Sequence, residues 1–165
     1  VFCESVFFND VDVEVEAAVR NTRGVFESLG VAIGQIEIPE VDEAEAIPDR
    51  YLDMAVEAYS ANKNLLDEHA ENIDFILEWM AHGRNVSAPD YFSMIRKRSK
   101  LKNSICETMN DVDAILVPSV LSTAHPVDLL DKGNDSYYEY QWRYLRNTSL
   151  GNYLNLWRAI INTFS

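Results

Sequence analysis

Asn110–Pro126 reads NDVDAILVPSVLSTAHP. Two acidic turn residues, Asp111 and Asp113, precede the apolar run Ala114–Val117, and Pro118 closes it. A short Ile/Leu/Val-rich run bounded by turn residues predicts a buried strand. Proline ends it because it has no N–H to give to a sheet. The small polar loop that follows carries Ser119, Ser122, Thr123, Ala124, His125 and Pro126. Loops at the carboxyl ends of strands in open α/β sheets are where ligands bind. The simpler alternative is a core strand with an ordinary exit turn.

Upstream, Val1–Phe8 suits a strand and Asn9–Asp10 a turn. Asp12 is placed to cap a helix whose first turn holds Glu14 and Glu16, acids favoured at the positive end of the helix dipole. Val15, Val19, Thr22, Phe26 and Leu29 step by four and three, and Gly30 falls where a helix leaves through a left-handed residue. Ile33–Ile38, stopped by Pro39, predicts a second strand. These elements form one strand–helix–strand crossover unit. The acidic Glu40–Glu45 reads as a solvated loop. A helix is expected after Pro48, and a third over Lys63–Met80 with His69 among its apolar positions. Ser87-Ala88-Pro89-Asp90 is a helix start. The helix it opens carries Arg96, Lys97, Arg98, Lys100 and Lys102, read as its wet face rather than an anion patch. Asp128–Asp135 reads as a loop. The aromatic run Tyr137, Tyr138, Tyr140, Trp142 and Tyr144 is read as interface packing rather than ligand stacking. Leu145–Ser165 is apolar and helical in part.

With 165 residues the chain supports a real core and reads as one domain, 1–165. Its net charge of −13 opposes nucleic acid and anionic membrane as partners. Cys3 and Cys106 make neither a disulfide framework nor a zinc set, and no membrane span or secretory signal is visible, so a cytoplasmic protein is expected. The sequons at Asn85, Asn134 and Asn147 are read as chance. His69, His82 and His125 have no second ligand at metal spacing, so no metal is assigned. There is no Gly-rich phosphate loop and no nucleophile elbow, and no cofactor is implied. Ser119, Ser122 and Thr123 have no base assigned to them, so no catalytic residue is named.

Four segments in order resemble the C-terminal half of the amidase signature family. Asp12-Val13-Glu14-Val15 running to Leu29-Gly30 and then Ile36-Glu37-Ile38-Pro39 is similar to that family's D-x-x-V helix and following strand. Gly83-Arg84-Asn85-Val86-Ser87-Ala88-Pro89-Asp90-Tyr91 resembles its G-x-x-[IV]-S-x-x-D-Y helix start. Asp111–Ser119 with Ala124 resembles D-x-D-[AV]-L-[LV]-x-P-[ST]…A. Arg146–Leu156 resembles the Thr/Asn segment before the last core strand. The resemblance implies an α/β fold, here a helix-rich partial amidase-like domain with a small mixed sheet. It places Pro118, Ser119, Ser122, Thr123, Ala124 and His125 beside a substrate pocket for a small-molecule amide.

The family's Ser–cis-Ser–Lys triad belongs to an upstream region not present in these residues, and the pattern is lost after Leu156. Both chain ends read as those of a piece of a larger polypeptide. The expectation is therefore an amidase-like protein without hydrolytic activity of its own, completed by a missing amidase core. The alternative is a non-catalytic binding module that self-associates, a dimer being the simplest form.

Overall fold

The computed structural model describes residues 1–69, 75–130 and 134–156. The chain is α/β and strongly helix-dominated, with a small open sheet. Its described residues fall into two compact units, Val1–Ala46 with Lys102–Ser165, and Ile47–Leu101.

In the first unit β1 (Phe2–Cys3) pairs in parallel with β2 (Gln35–Ile36), register Phe2 to Gln35 and Cys3 to Ile36. Between them runs α1 (Val13–Ser28), giving the expected crossover unit. Gly30 takes the left-handed conformation, φ 82°, at the helix exit, where a side chain would be strained. The strands are shorter than the sequence suggests. Val1–Phe8 bends after Cys3 into a 3-10 turn, Val6–Phe8, because Ser5 Oγ accepts the Phe7 N–H and turns the chain. Ile38 leaves the strand to become the first, fully buried residue of a helix entry. On the other side of β1, Leu116 forms a single parallel bridge to Phe2, and Leu116 N donates to Val1 O at 2.8 Å. The run Ala114–Val117 is therefore a one-bridge flank, with Ala114 exposed and Ile115–Val117 half-buried, rather than a fully buried strand.

Glu40–Glu45 is not a loop. α2 (Pro39–Glu45) forms there, with Pro39 in the first turn and Glu40 and Asp42 at the positive end of the dipole. Val41 and Ala44, three residues apart, are fully buried, and Asp42 Oδ1 accepts the Val6 N–H at 3.0 Å. Acidic composition masked this apolar spacing.

Glu40 itself is buried. Its Oε1 accepts the hydroxyls of Ser104 (2.5 Å) and Thr108 (2.9 Å), both on α4 (Ala88–Thr108). Burial works against the charge, but these hydroxyls and the Glu40 backbone N–H outweigh it and hold the carboxyl below its ordinary value. Such a group stabilises the fold above the unfolded carboxylate range and loses its contribution as pH falls through the folded value. Urea midpoints should therefore fall on acidification below about pH 4.5, and Ser104→Ala with Thr108→Val should flatten that fall. A slope unchanged in the double variant would contradict the assignment.

In the second unit α3 (Leu52–Glu68) packs against a 3-10 segment, Phe75–Asn85. The helix expected over Lys63–Met80 does not form as one piece. Residues up to Glu68 belong to α3, which kinks at Asn62, where Nδ2 donates back to Ala58 O at 2.9 Å. His69 is the exposed residue that ends α3, not a core histidine. Asp67 gathers Tyr59, Lys63 and Arg84 and so joins α3 to the 3-10 segment; Lys63 first, then Tyr59 and Arg84, hold its carboxyl at about 2.

Gly83 makes the closest approach of the two pieces. A Cβ there would lie 2.2 Å from Ala55 O and 2.6 Å from Val56 N, backbone atoms that cannot swing aside. Gly83→Ala is expected to cost about 2–3 kcal/mol by overpacking. A urea midpoint equal to the parent's would refute the close approach.

α4 opens as the sequence predicts. Ser87 Oγ accepts the Asp90 N–H at 3.3 Å and donates to Asp90 Oδ2 at 2.6 Å. Arg96, Lys97 and Lys100 are exposed, whereas Arg98 turns inward to Asp53 at 3.0 Å. The loop expected over Asp128–Asp135 is replaced by α5 (Val127–Leu130) and the start of α6 (Asn134–Tyr153); residues 131–133 lie outside the described residues. The aromatic run lies on α6. The part of the apolar tail beyond Leu156 lies outside the described residues.

Candidate functional site

The loop after Pro118 is fastened to α6 at three points. Asn147 Nδ2 donates to Pro118 O at 2.8 Å, Leu121 N donates to Arg143 O at 2.9 Å, and His125 N donates to the Tyr144 hydroxyl at 2.9 Å. On its other side the loop meets the start of α1. Asp12 N donates to Leu121 O at 2.7 Å, and Thr123 Oγ1 donates to Glu14 Oε1 at 3.1 Å. Asp12 makes no side-chain cap bond to the helix it precedes, because its Oδ1 takes Arg143 at 2.6 Å instead.

Residues 146 and 147 explain the loop's order. Both are almost fully buried, Arg146 at 4% and Asn147 at 3% exposure. Arg146 Nη2 donates to Val6 O (2.7 Å) and Phe7 O (3.3 Å), and its Nε donates to Asn147 Oδ1 at 3.0 Å. Asn147 Nδ2 also donates to Phe7 O at 2.8 Å. Thus two buried polar side chains satisfy backbone carbonyls of the 3-10 turn and the loop together, as buried carbonyls require. Burial of this kind leaves no room for a glycan on Asn147, whatever its sequon.

The six candidate residues are not equivalent. Pro118 is buried and Ser119 half-buried. Ser122 is 1% exposed, and its Oγ has no hydrogen-bond partner among the described residues. Among the described residues no base bonds it, so there it has no activated-hydroxyl geometry. Thr123 and Ala124 are exposed, and Thr123 is tied to Glu14. His125 is half-buried, with its ring 4.3 Å from the Tyr140 centroid and its Nδ1 2.5 Å from the Tyr144 oxygen. Beside Glu14 an open depression of about 630 Å³ is lined by Val11, Asp12, Val13, Glu14 and Ala17.

Sequence reasoning overlooked Arg143, Tyr144 and Tyr140 as parts of this region, where the structure packs the Tyr140 and Tyr144 rings against His125. The sequence carried no periodic signal for this: Arg146 and Asn147 stand in a polar run, Arg146-Asn147-Thr148-Ser149, between Leu145 and Leu150.

Neither thiol adds chemistry here. Cys3 is buried, and burial pushes its thiol up despite the bond to Ser5; Cys106 is exposed, and both are free. Among the described residues no cluster of three or more His, Cys, Asp or Glu could hold a metal, and no helix is long and apolar enough to cross a membrane.

No protein-family model matches the chain, and no solved structure matches it. A curated protein of Pseudomonas putida named "Amidase" is 28% identical over 159 residues, covering 93% of this chain and 33% of that protein. The chain spans about a third of the length of the relative it matches, and over that span it is distantly homologous to an amidase-family enzyme.

Proposed function

We propose that this chain forms the pocket-wall portion of an amidase-like C–N hydrolase and does not hydrolyse amides by itself. The observation that supports the reading is the similarity to an amidase along 93% of the chain. In this reading Pro118, Ser119, Ser122, Thr123, Ala124 and His125 border the substrate pocket, and the covalent chemistry belongs to a Ser–cis-Ser–Lys set carried elsewhere. The ordered loop agrees with a positioning role, and the unpartnered, sealed Ser122 hydroxyl agrees with the lack of a nucleophile here. The test is a panel of amide and ureide substrates together with a serine-reactive fluorophosphonate probe. The expected result is no turnover and no labelling. Turnover blocked by the probe would overturn the reading.

A second reading is favoured by the open sheet and by Val13, Leu29 and Val127, which stand 83%, 73% and 70% exposed. Uncovered strand flanks and apolar side chains promote association, so the chain would serve as a self-associating, non-catalytic module. Light scattering separates the two: a dimer supports this second reading, and a concentration-independent monomer removes it.

A further inference from the structure

The chain carries 14 Lys and Arg against 27 Asp and Glu, so its cations have no shortage of acids to pair with. On α1 and α3 they do pair, one turn apart: Arg20 with Glu16, Arg23 with Glu27 and Lys63 with Asp67. α4 is built differently. No acid stands between Asp90 and Glu107, and Arg96 and Lys97 have Lys100 as their helical neighbour, four and three residues on. Like charges so placed repel and destabilise a helix. All three are exposed and make no ion pair or hydrogen bond among the described residues, whereas Arg98 between them turns away to Asp53. Phe92, four residues before Arg96 and so on the same face, is 58% exposed. The result is an open stripe of one ring and three cations whose repulsion nothing among the described residues relieves.

We propose that this face of α4 docks an acidic, amphipathic helix of a partner protein. An apolar side chain of the partner lies against Phe92, and carboxylates one and two turns further on meet Arg96 and Lys100, with Lys97 beside them. Cations one turn apart fit carboxylates set at the same interval on another helix. The exposed ring offers a contact that an inorganic anion cannot use. Duplex DNA brings a negative charge about every 1.7 Å into the field of a chain whose net charge is −13, and an anionic membrane brings a charged plane. A short acidic helix brings few charges and sets them against the cations alone. The surface belongs to the second unit, and the proposal stands whether or not the amidase-like reading does.

The test is an amide NMR titration of the whole chain, at low salt, with an alanine-based helical peptide carrying Leu and, one and two turns on, Glu. The expected shifts centre on residues 92–100 and weaken as salt is added. Replacing the peptide's Glu by Gln should weaken binding at least about fivefold, the worth of two or three exposed ion pairs, and so should Arg96→Gln/Lys97→Gln/Lys100→Gln in the chain. Arg96→Glu/Lys100→Glu should lose the Glu peptide and take up its Lys analogue instead. Equal affinity for the Glu and Gln peptides overturns the proposal on the parent chain alone, even if a variant fails to fold. So do shifts centred away from α4, or a reversed variant that ignores the Lys peptide. Tighter binding of duplex DNA or phosphatidylglycerol vesicles at these residues would assign the face to a polyanion and overturn it too. A dimer that the triple Gln variant abolishes would do the same by making a second copy the occupant.

Discussion

Asn147→Ala is expected to lower stability by about 3–4 kcal/mol, the larger of the effects anticipated for the first unit. The amide donates at 2.8 Å to both Phe7 O and Pro118 O and accepts Arg146 Nε at 3.0 Å. Phe7 O keeps its contact with Arg146, but Pro118 O loses the Asn147 donor inside a region sealed from water. The cost of stranding a buried acceptor adds to the loss of packed volume. Asn147→Asp should be no milder, because a carboxylate would face two carbonyl oxygens with nothing to donate. Thr148→Ala is the control: its hydroxyl bonds only the Leu145 carbonyl on the helix surface, so a change within about 0.5 kcal/mol is expected. Urea unfolding reads all three. Equal midpoints for Asn147→Ala and Thr148→Ala would show that the clasp contributes nothing.

Arg98→Met should destabilise the second unit by about 3–5 kcal/mol. Asp53 is 1% exposed, and Arg98, on the neighbouring helix of the same unit, reaches its Oδ2 at 3.0 Å. Removing the cation leaves a carboxylate in a place that water does not reach, and that charge is what makes the change costly. The double variant Asp53→Leu/Arg98→Met removes both charges and should recover most of the loss, since a buried ion pair can be replaced by apolar packing at little net cost. Hydrogen exchange of the α3 amides follows the local effect. A double variant as unstable as the single one would mean that shape, not charge, governs the site.

The local features of the chain were legible before the structure. The Asp12–Gly30 helix with its exit glycine, the parallel crossover and the Ser87 helix start all rest on short-range signals: a cap, a periodicity, a left-handed residue. Where several such signals competed, the reading slipped. Acidic residues concealed α2, whose Val41 and Ala44 face the core, and the helix expected over Lys63–Met80 stops at Glu68 although its apolar periodicity runs on past His69. The candidate loop could be found, because Pro118 ends a visible apolar run. Its fastenings could not, since Asn147 lies 29 residues from Pro118, and Arg146 lies 140 from Val6. Contacts between residues so far apart leave no periodic trace.

The threefold fastening of the Pro118–His125 segment to one helix carries a thermodynamic corollary. A stretch with so little freedom left has little to surrender on capture of a guest molecule, so the disorder lost on association would come mostly from the guest. Calorimetry should then record a small heat-capacity change, and NMR relaxation near-constant backbone order parameters from residue 118 to 125, in contrast to a flap that closes over its cargo.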